Sequence, residues 1–185
     1  SEQHIHYWDG LSTDNTAHIL AQPWPDRDWQ QAPVVFFTSG STGTPKQIPR
    51  TFGQLAREIE VLQHLFPWPA HSTVMATVSH QHLFGLCYKI LLPLQQAAAF
   101  VAEQCLYPED VLRLQQQYQH LPLVLASSPA FLSRWQDPHA ASQFLQVFSS
   151  GGPLPSDVPR QLQRDIVEIF GSSESGGIAW RHAPQ

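Results

Sequence analysis

Residues 34–46 read VVFFTSGSTGTPK, an apolar run that ends in a loop of serine, threonine and glycine. The apolar run predicts a buried strand that leads into this loop. Gly40 and Gly43 allow neighbouring backbone N–H groups to point into one concavity. Hydroxyl groups and the charge of Lys46 add the donors that polyphosphate oxygens prefer. The stretch therefore predicts a phosphate-binding loop, although a flexible surface loop can have a similar composition.

The common P-loop pattern, GxxxxGK[ST], does not fit this loop. Counting from Gly40, its second glycine falls on Pro45, and Lys46 is followed by Gln47 rather than by serine or threonine. We therefore expect a phosphate loop of another kind.

Predicted strands and helices alternate along the rest of the chain. The first helix is indicated by Leu55, Ile59, Leu62 and Phe66, whose spacing of four, three and four residues follows one helix face. Further helices are predicted over 82–92, 108–118, 129–135 and 156–164, and strands over 47–51, 73–78, 97–102, 123–126, 145–148 and 166–170. This alternation predicts an α/β fold with a mostly parallel sheet and helices on both faces.

Loops of unusual composition follow directly after predicted strands, at residues 38–46, 79–85, 149–153 and 171–177. Ligands of open α/β sheets bind at the carboxyl ends of the strands, where such loops leave the sheet. We therefore expect these loops to surround one cleft. Residues 1–33 show no regular period and are predicted to be irregular.

The composition narrows the class of protein. Apolar residues make up 42% of the 185 residues, which is enough to form a buried core. The formal net charge is -5 and no Lys/Arg cluster is present, which argues against nucleic-acid binding. Charged residues make up only 14%. The longest apolar stretch, 83–94, is too short to span a bilayer. Cys87 and Cys105 follow no metal or redox spacing, and we expect them to be buried thiols in a cytoplasmic protein.

The segment from Thr38 to Lys46 resembles the signature of the adenylate-forming superfamily, which includes acyl-CoA synthetases, firefly luciferase and the adenylation domains of peptide synthetases. The signature is a strand, a Ser/Thr/Gly-rich loop, then Pro-Lys and usually Gly, which Gln47 replaces here. Three further motifs resemble the family's in the correct order: His82 before Phe84-Gly85, then Ser150-Gly151-Gly152, and then Phe170-Gly171-Ser172-Ser173-Glu174. In the last of these, Phe170 and Ser173 replace the usual tyrosine and threonine.

The resemblance implies part of a large N-terminal domain that joins a carboxylic acid to AMP, with ATP and Mg²⁺ as cofactors. The acyl group then passes to coenzyme A or to the phosphopantetheine of an acyl carrier protein. Lys46, His82 and Glu174 are implied as catalytic, with His82 near the carboxylate and Glu174 on Mg²⁺. Nucleotide contacts are implied for Thr38, Ser39, Gly40, Ser41, Thr42, Gly43, Thr44, Lys46, Ser150, Gly151, Gly152, Phe170, Gly171, Ser172 and Ser173.

The resemblance implies that the family's ribose-binding aspartate and its C-terminal lysine domain would follow residue 185. Residues 34–185 are therefore expected to form a partial AMP-binding domain that needs the remainder of a longer ligase and has little activity alone. The apolar character of residues 82–92 favours an apolar or aromatic acid as substrate. Two alternatives stay open. One is a non-catalytic nucleotide-binding or interaction module of the same fold. The other is an unrelated phosphate-binding enzyme, in which Lys46 and Glu174 would lie far apart.

Overall fold

A computed structural model of the protein describes residues 28–38 and 45–183, and the strands within them form two sheets. The smaller sheet is an antiparallel pair, β1 (Pro33–Thr38) and β2 (Lys46–Thr51). The larger sheet contains β3 (Thr73–Ala76), β4 (Ala99–Phe100), β5 (Leu123–Ser127), β6 (Phe144–Ser149), β7 (Val167–Ser172) and β8 (Gly176–His182). Its strand order is β4-β3-β5-β6-β7-β8, and only the β7–β8 pair among these strands is antiparallel.

The helices connect these strands. They are α1 (Phe52–Leu65), α2 (83–95), α3 (Pro108–Gln117), α4 (Pro129–Leu132), α5 (Pro138–Ser142) and α6 (Val158–Leu162). A capping box starts α1, since Thr51 Oγ1 accepts from Gln54 N–H and Gln54 Oε1 accepts from Thr51 N–H. A 3₁₀ turn, Trp29–Gln31, precedes β1.

Each face of the large sheet is covered by its own apolar core. Buried side chains of α1 and α2, among them Leu55, Ile59 and Leu92, pack with Phe148 of β6 on one face. Side chains of α3 to α6 form the other core around Trp135. Every residue of β3 and β5 is buried, as expected for parallel strands that are covered on both faces. The predicted α/β fold with helices on both faces is confirmed.

Helix α2 contains an irregular middle section. Between the short turns Leu83–Gly85 and Leu92–Gln95, residues Leu86–Leu91 form a π-helix, in which Leu92 N–H bonds to Cys87 O. Pro93 has no N–H for the carbonyl of residue 89, and its ring crowds the preceding turn of a regular helix. The wider π turn accommodates the proline, and the helix therefore continues past the predicted end at residue 92.

Several predicted boundaries and elements were wrong. Strand β8 was not predicted, because most of its residues are exposed and show no apolar alternation; only its pairing with β7 makes it a strand. The loop of residues 38–46 joins β1 to β2 and does not leave the large sheet. Helix α5 was also missed, although Asp137 Oδ1 caps it by accepting from Ala140 N–H at 2.9 Å.

The described part of the predicted irregular segment 1–33 is Asp28–Pro33; residues 1–27 lie outside the described residues. Cys87 and Cys105 are free and buried, and burial raises the pKa of the Cys105 thiol to about 12. No helix within residues 28–38 and 45–183 has the length and apolar character needed to cross a membrane.

Substitution of Phe148 by alanine should test the apolar core that α1 and α2 form with β6. The Phe148 ring is fully buried, and its centroid lies 5.0 Å from that of the Phe66 ring and 4.9 Å from that of the Tyr88 ring. We expect Phe148→Ala to lower the free energy of unfolding by about 3–5 kcal/mol, measured by denaturant titration. Leu145→Ala, at an exposed position near the start of the same strand, is the control and should cost far less. Equal losses for the two variants would contradict this description of the core.

Candidate functional site

A cavity of about 320 Å³ lies at the carboxyl ends of the parallel strands. Three of the loops singled out from the sequence line it together, at residues 79–85, 149–153 and 171–177. Its lining includes His82, Ser150, Gly151, Gly171, Ser172 and Ser173. The structure thus brings these loops to one cleft, as their positions after successive strands predict. Residues 39–44 of the first loop lie outside the described residues.

Lys46 and Glu174 are in direct contact. Lys46 Nζ donates to Glu174 Oε1 at 2.8 Å, which joins the start of β2 to the turn between β7 and β8. Both side chains are more than half exposed. The hydrogen bond from Lys46 holds the pKa of the Glu174 carboxyl below its ordinary value. This contact contradicts the unrelated-enzyme alternative, which places the two residues far apart.

Other predicted residues of the first and fourth motifs lie beside this pair. Thr38 ends β1 and is directly opposite Lys46 in the β1–β2 register. Ser172 Oγ and Ser175 Oγ are 3.0 Å apart across the β7–β8 turn, and Ser172 Oγ accepts from Ser175 N–H. Ser173 is half-buried within the same turn. Hydrogen bonds between Ser172 and Ser175 therefore stabilise the turn, and Glu174 lies at its tip.

Arg50 and Glu58 also form hydrogen bonds with the β7–β8 hairpin around this turn, and neither residue is predicted from the sequence. Arg50 Nη1 donates to the backbone oxygens of Ser173 and Glu174 at 3.3 Å each. Glu58 Oε1 accepts from Gly177 N–H at 2.9 Å, and Arg50 Nη2 lies 3.5 Å from Glu58 Oε2. Nothing local marks these residues, because their partners on the turn are more than a hundred positions away in sequence.

His82 is exposed at the edge of the cavity, immediately before α2. Its backbone N–H bonds to Ser79 O at 3.2 Å, and its side chain does not cap the helix. Gly85 allows the start of α2 to approach the backbone of Ser79 closely, since a Cβ at position 85 would overlap the Ser79 carbonyl. The glycine of the second motif therefore packs the helix against the loop that carries His82.

A second cavity, of about 610 Å³, adjoins the first and shares Ser150, Gly151, Ile169 and Gly171 with it. A Cβ added at Gly151 or at Gly152 would meet nothing within 4 Å, and Gly151 has φ +95°. Phe170, 67% exposed, is part of the wall. Open space beside two glycines and an exposed aromatic ring is suited to a planar ligand.

Polar contacts fix the two ends of the Gly151-Gly152 loop, which lines this second cavity. Ser150 Oγ donates to Ile169 O at 2.9 Å and joins the end of β6 to β7. Glu168 Oε1 accepts from Leu154 N–H at 3.0 Å, and Glu168 Oε2 lies 2.6 Å from Arg181 Nε. The Gly151-Gly152 loop is therefore held at both of its ends.

Replacement of Lys46 should change the titration of Glu174. In the folded chain the Lys46 hydrogen bond stabilises the ionised carboxylate and lowers its pKa. We expect Lys46→Met to move the Glu174 pKa upward, measured by NMR titration of its side-chain carboxyl carbon. Lys46→Arg keeps the cation and should keep the pKa low. An unchanged pKa in Lys46→Met would show that the contact is not formed in solution.

Comparison with known proteins shows the family of this chain. Residues 4–185 match the family model for the AMP-binding enzyme. The chain is 35% identical over 183 residues to a 4-coumarate–CoA ligase of Rhodobacter capsulatus, covering 88% of this chain and 46% of the relative. It is 25% identical over 163 residues to a 3,4-dihydroxybenzoate–[aryl-carrier protein] ligase of Bacillus anthracis, covering 83% and 38%. The chain thus spans less than half the length of these relatives.

A similar fold occurs in a malonyl-CoA ligase that was solved as a ternary product complex with methylmalonyl-CoA and AMP bound. The TM-score is 0.75 at 22% identity, covering 87% of this chain and 37% of the other. At that identity the likeness shows the fold. The family match, in contrast, extends over nearly all of the sequence, and the chain belongs to the AMP-binding enzyme family.

Proposed function

We propose that this chain forms the nucleotide- and acid-binding part of a ligase that activates a carboxylic acid as its acyl-adenylate. The acyl group then passes to the thiol of coenzyme A or of a carrier-protein phosphopantetheine. The observation that carries the proposal is the contact between Lys46 Nζ and Glu174 Oε1 at 2.8 Å. It joins a cation suited to phosphate and a carboxylate suited to Mg²⁺, although 128 positions separate them, and the neighbouring residues Ser172 and Ser173 line the first cavity.

In the proposed reaction the carboxylate of the acid attacks the α-phosphate of ATP, and pyrophosphate leaves. Lys46, Thr38 and the donors of residues 39–44 would stabilise the charge that develops on the phosphate oxygens. Ser173 would add a contact to the AMP phosphate. Because the Lys46–Glu174 pair is exposed, little stability is lost when the two side chains separate around a nucleotide.

Glu174 is the residue proposed to hold Mg²⁺. No cluster of three or more potential metal ligands occurs among residues 28–38 and 45–183. A single exposed carboxylate fits Mg²⁺ nevertheless, because that ion is commonly held by one or two carboxylates together with substrate phosphates and water. When bound, the ion would neutralise phosphate charge as the leaving group departs.

The first cavity is proposed to hold the acid. Its walls include Val78, Leu83, Phe84 and Ile169, and the exposed His82 lies where it could orient the carboxylate. No lysine or arginine occurs among the described residues that line this cavity, so a second carboxylate on the substrate would find no cation there to pair with. We therefore propose an apolar or aromatic monocarboxylic acid, a class that fits the names of the two curated relatives.

The adenine ring is proposed to occupy the second cavity, between Gly151-Gly152 and Phe170. Ser150, Gly171 and Ser172 would line the passage from this cavity to the phosphates. Residues 34–185 are proposed to be part of a larger AMP-binding domain, with the ribose contact and the catalytic lysine supplied by the remainder of a longer ligase. Little turnover is expected from this chain alone.

Binding of non-hydrolysable acyl-adenylate mimics tests the proposed function. We expect a 4-coumaroyl sulfamoyl adenosine to raise the thermal midpoint more than AMP does, and a malonyl mimic to raise it less. A ligand at a hundredfold excess over its Kd adds about 2.7 kcal/mol of stability. Glu174→Gln should weaken the response to MgATP, and a chain that responds to no nucleotide would contradict the proposal. Binding without any preference among acids would favour the non-catalytic module.

Substitution of Gly152 by alanine separates a nucleotide-binding loop from an ordinary turn. The added methyl group meets open space, and we expect the free energy of unfolding to change by less than about 1 kcal/mol. If adenine packs on this backbone, calorimetry should show an AMP affinity about tenfold weaker, or about 1.4 kcal/mol. Gly151→Ala is the contrasting control, because its positive φ makes alanine destabilising. Unaltered AMP affinity in Gly152→Ala would remove adenine from this cavity.

A further inference from the structure

We infer that Arg50 and Glu58 are positioning residues, which act together on the β7–β8 turn to place Ser173 and Glu174 for the nucleotide. The inference rests on the proposed function and adds two residues to its site. The sequence motifs do not include either residue. What links them to the site is their set of contacts with the backbone of one turn.

The first part of this arrangement is the Arg50 guanidinium, which extends from β2. It donates to two successive carbonyls, Ser173 O and Glu174 O, at 3.3 Å each. The Arg50 side chain is only 9% exposed, and its bond to Ser173 O is partly buried, whereas the bond to Glu174 O is exposed. A planar guanidinium that bonds two adjacent backbone oxygens restricts the direction of the chain at the very residues that carry the proposed phosphate and Mg²⁺ contacts.

The second part is the Glu58 carboxylate, which extends from α1. Its Oε1 accepts the N–H of Gly177, and its Oε2 lies 3.5 Å from Arg50 Nη2. Gly176 has φ +77°, and a Cβ there would collide with the carboxylate of Glu58. The turn therefore approaches Glu58 as closely as glycine permits, with one side of it bonded to Arg50 and the other to Glu58.

The turn needs such support because, apart from its own hydrogen bonds and the exposed Lys46–Glu174 pair, little apolar packing holds it. Strand β8 is buried only at its first residue, and Glu174 itself is exposed. Small errors in the placement of groups around a reacting phosphate reduce rates strongly. Two charged side chains from β2 and α1, which pair with each other while they bond to the turn, supply the missing rigidity and leave neither half-buried charge unpaired.

The test compares Arg50→Met, Arg50→Lys and Glu58→Gln with two controls, Arg57→Met and Glu60→Gln, which change exposed residues of α1. The readouts are the calorimetric Kd for AMP and the amide exchange rates of residues 173–177, with the exchange of β5 as an internal standard of folding. We expect Arg50→Met to weaken AMP binding about tenfold and to accelerate exchange at the turn, while β5 exchange stays unchanged.

Arg50→Lys should restore part of the affinity, because it keeps the charge but cannot bond both carbonyls equally. Glu58→Gln should lose less than Arg50→Met, because its amide oxygen still accepts from Gly177. Unaltered Kd and exchange rates in Arg50→Met, or equal losses in the controls, would overturn the inference while the proposed function stands. If the unaltered chain does not bind AMP, the proposed function fails, and the exchange rates still decide whether the pair fixes the turn.

Discussion

The pairing of β5 between β3 and β6 is the constraint on which the rest of the structure depends. These parallel strands are largely buried and separate two apolar cores, so their order and register cannot shift without exposing both. Because parallel strands end on the same side, the loops after β3, β5 and β6 meet at one edge. The side chains at that edge are of two kinds, because Leu83 and Tyr88 of one apolar core line the first cavity together with the polar residues of the loops.

The antiparallel β7–β8 hairpin presents site residues at its tip, whereas the parallel strands beside it mainly form the buried centre of the sheet. It carries Ser173 and Glu174 at its tip, and most of β8 is exposed. Val167 and Trp180 anchor the body of the hairpin in the core of α1, whereas its tip is bonded by polar groups from outside the large sheet: Lys46 and Arg50 on β2, and Glu58 on α1. The small β1–β2 sheet thus contributes twice to the site, through the lysine that follows its loop and through the arginine that holds the turn.

Glycine is used in two opposite ways around the cleft. At Gly85 and Gly176 the absence of a side chain allows close packing, against Ser79 and Glu58 respectively. At Gly151 and Gly152 it leaves open space within a cavity. The first two glycines therefore serve the fold that positions the site. Gly151 also has a backbone conformation that favours glycine, whereas Gly152 keeps room that the fold itself does not need. We regard this open space as the main structural support for a ligand at the second cavity.

The sequence by itself determined the α/β class, the family and the cleft at the strand ends. Apolar runs and helix stripes are local patterns, and the motifs at residues 79–85, 149–153 and 171–177 follow strands that these patterns predict. It did not determine β8, because an exposed strand depends on its neighbour for hydrogen bonds rather than on an apolar pattern. Nor did it reveal Arg50 and Glu58, whose importance lies in partners brought near only by the tertiary fold. The periodicity of apolar residues predicts which side chains are buried. Contacts between charged groups that are distant in sequence produce no local pattern, so only the tertiary structure decided which of these groups meet.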